Sequence, residues 1–137
     1  MGSFSVPIRV RNWQNQLLTP PRSSEAIEVE ALVDTGAVEL ALPAELVERL
    51  DLRVLGTIRA EAADGGFHEL RVMGVVEVEV EGRAARVEVI ELPRGARPLL
   101  GAVPLEMMDW HVATREKKLV PNPRFPEGPV VPLMRLT

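Results

Sequence analysis

Alternation of apolar and polar residues, the period of a half-buried strand, runs through most of this chain. Val6–Val10 alternates, with Ile8 and Val10 on one face. Ile27, Val29, Ala31 and Val33 then alternate with Glu28, Glu30 and Leu32, a strand that turns apolar on both faces towards its end. It runs directly into Asp34-Thr35-Gly36-Ala37. Ile58 to Ala62 reads as a further strand, closed by the turn signal Ala63-Asp64-Gly65-Gly66. From Leu70 to Val80 the period is clearest: Val76, Val78 and Val80 face one way, Glu77, Glu79 and Glu81 the other. Gly82 turns the chain, and Val87 and Val89 resume opposite Arg86 and Glu88. The glutamates therefore read as the wet face of a hairpin rather than as an acidic binding tract. Trp110–Ala113 and Lys118–Val120 make another hairpin around a charged turn at Arg115-Glu116-Lys117.

Two segments depart from this period. Pro43–Leu50 predicts a short helix with Pro in its first turn and Leu46, Val47 and Leu50 on one side. Pro104–Met108 predicts a second, with Met107 and Met108 as core or edge. Asn12–Ser24 and Pro93–Pro98 read as links, and Pro121–Thr137 as a proline-rich tail whose Val130, Val131, Leu133, Met134 and Leu136 suit an edge strand or a partner surface. The whole of 1–137 is expected to be one all-β domain with one or two short helices.

Composition narrows the function classes. With two Trp, three Phe and no Tyr, the core must be aliphatic. Sixteen basic against twenty acidic residues, with no extended basic stripe, exclude duplex nucleic acid as a natural partner. The absence of Cys removes disulfides, thiolate nucleophiles and cysteine metal sites. No secretory leader and no membrane-length apolar run stand out, so a cytoplasmic, membrane-free location is expected. His68 and His111 lack a metal-ligand spacing, and Gly65-Gly66 lacks the Lys-containing phosphate-loop pattern; neither a metal nor another cofactor is expected. Trp110 reads as packing material, and alternation of sides along a strand argues against an Asp109–His111 pair.

The segment with chemical content is Ala31-Leu32-Val33-Asp34-Thr35-Gly36-Ala37. An acid placed directly after an apolar strand sits on a rigid support at the edge of the interior. The Thr hydroxyl can hold neighbouring backbone, and Gly permits close approach. As a bare tripeptide, Asp-Thr-Gly would also serve as a strand-ending turn.

Three motifs together resemble the retroviral-type (retropepsin-like) aspartic proteases, in particular their bacterial single-domain relatives. Leu32-Val33-Asp34-Thr35-Gly36-Ala37 matches the hydrophobic-hydrophobic-Asp-Thr-Gly-Ala loop. Ala62-Ala63-Asp64-Gly65-Gly66-Phe67 falls where that family places its substrate-covering flap. Pro98-Leu99-Leu100-Gly101 matches the late hydrophobic-hydrophobic-Gly before a short helix. The similarity spans about residues 25–120; near 113–114, where the family carries an acid, this chain has Ala113-Thr114. The resemblance implies a closed acid-protease-like barrel with a flap hairpin, and an aspartic endopeptidase acting on an extended polypeptide.

It also implies residue roles. Asp34 would be catalytic, Thr35 and Gly36 would support the site and the dimer contact, and Ala37, Asp64, Gly65, Gly66 and Phe67 would meet substrate. Leu99, Leu100 and Gly101 would be structural support. Such hydrolysis needs two carboxylates sharing a proton, yet Asp34-Thr35-Gly36 occurs once, and Asp51, Asp64 and Asp109 stand in other contexts. The expected functional unit is therefore a homodimer with one Asp34 from each subunit about a twofold axis. The competing expectation is a catalytically idle dimer of the same fold that binds peptide or serves a structural role.

Overall fold

A computed structural model describes residues 3–130. The chain is mostly β. Its elements are β1 (Ser5–Asn12), a 3-10 turn (Gln14–Leu17), β2 (Ile27–Val33), β3 (Leu40–Pro43), α1 (Ala44–Arg49), β4 (Arg53–Glu61) and β5 (Phe67–Val80). They continue with β6 (Arg83–Leu92), β7 (Leu99–Leu100), α2 (Ala102–Met107), β8 (Trp110–Ala113) and β9 (Lys118–Pro121).

Seven strands form one sheet in the order β1-β2-β7-β3-β6-β5-β4, and β1 pairs with β5 as well as β2. The pairings thus run in a ring from β1 back to β1, leaving β4 outside it. The β2–β7 and β3–β6 pairs are parallel, and the rest are antiparallel. β8 and β9 make a separate two-stranded sheet. Trp110 ties it to the main sheet, donating from Nε1 to the Val80 carbonyl at 3.0 Å.

The period-2 residues do what their spacing requires. Ile8, Val10, Val76, Val78, Val80 and Val89 are fully buried together with Leu40, Leu42, Leu100 and Met108. Met107 is left exposed. Neighbouring residues on these strands point to the other face. There Ala41, Val72 and Ile90 make a second apolar cluster with Leu70, Leu92 and Leu99 packed on it.

Several boundaries differ from the sequence expectation. Pro43 ends β3 in an extended conformation rather than opening the helix, and α1 starts one residue later. β3 itself escapes a period-based reading because all four of its residues are buried. α2 begins at Ala102, two residues earlier than expected, because extended Gly101 stands at its N-cap. β4 begins at Arg53 rather than Ile58.

The stretch 12–24 is more than a link. Asn12 is buried and donates to the Leu50 and Asp51 carbonyls at 3.0 and 2.9 Å, while its Oδ1 accepts the Asn15 N–H at 2.9 Å. Buried Asn15 donates to the Ser23 carbonyl at 2.8 Å. These polar residues satisfy loop backbone inside the protein, where an unpaired peptide group would be costly. The apolar tail positions Val131, Leu133, Met134 and Leu136 lie outside the described residues.

Candidate active site

β2 delivers Asp34 to the surface in a loop clamped on both sides. Within β2, Leu32 N–H donates to the Pro98 carbonyl at 2.9 Å and Val33 N–H to that of Phe4 at 2.9 Å. Asp34 N–H then donates to the Leu100 carbonyl at 3.1 Å. The turn closes on itself: Gly36 N–H donates to Asp34 Oδ1 at 2.9 Å and Ala37 N–H to the Asp34 carbonyl at 3.1 Å. One carboxylate oxygen is thereby oriented by backbone.

The outgoing limb is seated on α2. Ala102 and Val103 donate their N–H groups to the Ala37 and Val38 carbonyls at 2.9 and 2.8 Å. Gly101 makes that seat possible. A Cβ on it would lie 2.3 Å from the Glu39 carbonyl oxygen and 2.7 Å from that of Ala37, so no larger residue fits without moving backbone. A side chain at Gly36 would crowd Asp34 Oδ1 at 3.1 Å. Leu99 and Leu100 pair in parallel with Leu32 and Val33, and antiparallel with Ala41 and Leu40. The late Leu-Leu-Gly thus stands between the two strands that flank the Asp34 loop.

Asp34 is half-buried, while Thr35 and Gly36 are exposed. Asp34 and Thr35 line a depression of about 160 Å³ with Ser3, Phe4, Val33, Val112 and Thr114. Apolar walls thus stand beside a carboxylate that is open on its outer side. Sequence reasoning missed the outer wall. Ser3 and Phe4 come from the start of the chain, Val112 from β8 and Thr114 from the turn just after it, so no local spacing links them to Asp34. The one signal was negative: Thr114 stands in the stretch where an acid was expected.

A second carboxylate does not reach this depression among the described residues. Asp51 pairs with Arg22 at 2.7 Å, and Asp64 Oδ1 accepts the Gly66 N–H at 2.8 Å. Asp109 lies 3.6 Å from His111 Nε2, which corrects the expectation that these two point apart. They are two residues apart and share a side, with Asp109 placed just before β8 at a positive φ of 55°.

The remaining expected site residues cap a projecting arm. β4 and the first part of β5 pair from Glu61↔Phe67 down to Gly56↔Val72. The turn between them is closed by Ala62 N–H to the Gly66 carbonyl at 2.7 Å and Gly65 N–H to the Ala62 carbonyl at 2.9 Å. Gly65 has φ +83°, a conformation that favours glycine. Phe67 is 57% exposed, with the Arg59 guanidinium 4.4 Å from its ring centroid. None of Asp64, Gly65, Gly66 and Phe67 lines the Asp34 depression, and neither does Ala37. The structure therefore assembles the Asp34 loop with the Leu99–Gly101 segment and leaves the hairpin tip apart from both.

Among the described residues, no group of three His, Asp or Glu side chains is placed to hold a metal ion. Among them too, no helix is long and apolar enough to cross a membrane. The family described as gag-polyprotein putative aspartyl protease matches residues 24–106, a span that holds both the Asp34 loop and Gly101. No curated protein matches the chain.

Proposed function

The chain belongs to the gag-polyprotein aspartyl protease family, and from that premise we propose that it is an endopeptidase whose active site is completed by a second copy of itself. The observation that carries this reading is Asp34, held on a clamped loop beside an open depression that no other carboxylate of the same chain enters among the described residues. A twofold axis at that depression would bring two Asp34 carboxylates together. Thr35 would meet its counterpart across the axis, with Phe4, Val112 and Thr114 facing the partner. Like charges about 3 Å apart do not both ionise, so the pair holds one proton. The ionised member takes a proton from a bound water as that water attacks the peptide carbonyl. The protonated member donates to the carbonyl oxygen, and the roles belong to the pair rather than to either residue.

In this reading the sheet ring is the acid-protease barrel, 1–137 is one folding unit, and the protein works in the cytoplasm. The β4–β5 arm is its flap, with the backbone of Asp64, Gly65, Gly66 and Phe67 over an extended substrate and Ala37 beside it. Leu99, Leu100 and Gly101 hold the loop in position. The test pairs two variants on an unstructured peptide library. Asp34→Asn should lower kcat by about a thousandfold or more, a loss at the scale of acid–base catalysis, while sedimentation still shows a dimer. Thr114→Arg, which places a bulky charge in the shared depression, should give a folded but inactive monomer. Full activity of a monomer would exclude the shared site. An inactive wild-type dimer that binds the same peptides would favour the idle-dimer reading.

A further inference from the structure

We propose that His68 is a specificity-determining residue, reading a carboxylate side chain on the bound peptide; this rests on the protease reading above. His68, Leu70 and Val72 are two apart on β5 and share one face. Leu70 and Val72 belong to the second apolar cluster, which continues through Ile90 on β6 and Ala41 on β3 to Leu99 on β7. Leu99 directly precedes Leu100, the residue whose carbonyl accepts the Asp34 N–H. A continuous apolar floor therefore leads from the segment behind the catalytic loop out along the arm, and His68 stands at its far end.

The register sets what surrounds His68. Ala60 lies opposite it and Ile58 opposite Leu70, so its near neighbours on this face are apolar. Between Gly56 and Val72 the charged residues of the arm fall on the other face: Arg59 pairs with Glu69, and Glu61 with Phe67, while Arg53, opposite Gly74, stands on His68's face only at the arm's base. Asp64 is engaged by the turn. In the Pro93–Pro98 loop, Arg94 is bound by Glu48 and Arg97 donates to Ser5 Oγ. Among the described residues, exposed His68 is thus the ionisable side chain at the outer end of this face. An imidazole offers at least one N–H donor in either protonation state and two when charged. A carboxylate reaching it would gain a donor without meeting a like charge, whereas a lysine would gain no anion. The substrate so described is an extended peptide with aliphatic side chains against half-buried Leu70 and Leu99, which pack on that buried cluster, and one acidic residue further along.

The experiment uses the full chain and synthetic peptides that carry aliphatic residues at the cleaved bond, with Glu, Gln, Leu or Lys placed in turn at each flanking position. At one position wild type should prefer Glu over isosteric Gln about tenfold in kcat/KM, as expected for a hydrogen bond to a charged group. His68→Ala should bring that ratio to about one while cleaving the all-aliphatic peptide as wild type does, and His68→Gln should fall between. A purely structural role would change all peptides alike and leave the ratio intact. An active wild type with no Glu preference, a preference for Lys, or a Glu preference that survives in His68→Ala overturns the inference and leaves proteolysis standing. If wild type cleaves nothing, the protease reading falls and fluorescence anisotropy with the same peptides decides. Tighter Glu binding by wild type than by His68→Ala supports the inference, and equal binding overturns it.

Discussion

The Asp34 loop and the Asp64–Phe67 turn both present an Asp and a Gly at the end of a strand, and both use the Asp side chain to accept a backbone N–H two residues on. Their surroundings differ. The Asp34 loop receives or donates backbone hydrogen bonds to Leu100, Ala102 and Val103, and lies over a Gly that no other residue can replace without clash. The Asp64 turn is held by its own backbone, on an arm where Val54, Leu55 and Ile58 remain exposed. The same local chemistry thus makes a fixed platform in one place and a free-standing tip in the other. A turn motif determines the bend; long-range contacts determine whether the bend is rigid. Under the proposed protease reading the division is useful, since a catalytic group must be held in place and a cover must let substrate in.

This contrast can be broken most severely behind the Asp34 loop. Leu100→Ala would remove a fully buried side chain from the main core and is expected to cost about 2–5 kcal/mol by urea denaturation. Gly101→Ala should cost about 1–3 kcal/mol, the scale of overpacking, because its Cβ meets backbone oxygen rather than a movable side chain. Activity should fall with it even in the folded fraction, since the Ala37 limb must shift. Wild-type stability for this variant would show that the seat is softer than its contacts imply.

Smaller effects are expected on the arm. Gly65→Ala forces a side chain into a positive φ and should cost about 1 kcal/mol. Ile58→Ser, on an exposed edge, should change stability by less than about 0.5 kcal/mol while weakening peptide binding. If Ile58→Ser instead lowered stability as much as Gly65→Ala, the arm would be packed against the body rather than standing free. Amide hydrogen exchange sharpens the same comparison: Asp34 and Ala102 amides should exchange far more slowly than those of Ala62 and Gly65.

Much of this was legible in the residues themselves. The Val76–Val80 and Glu77–Glu81 alternation specified which face is buried, because a strand has period two and a shift of one residue would place glutamates in the core. The turns at Gly65 and Gly82 were readable because both adopt positive φ. The Asp34 motif and the Leu99–Gly101 segment could each be located by residue type. What did not show was anything encoded by distance in space. β3 carries no alternation because both of its faces are covered, and Asn12 and Asn15 looked like linker polarity although they are buried anchors.

By itself, then, the sequence determined the alternating strands, their buried faces, the glycine-containing bends and the acid that ends β2, all of which follow from periodicity and from conformations open to particular residue types. It also determined that each chain carries one Asp-Thr-Gly. The tertiary structure decided that Gly101 lies beneath the Asp34 loop, that Phe4 and Thr114 wall its depression, and that Leu70 and Leu99 pack in one cluster. Those relations join residues tens of positions apart. They depend on which strands pair and in what register, a choice made by the burial of the whole sheet rather than by any local run of residues.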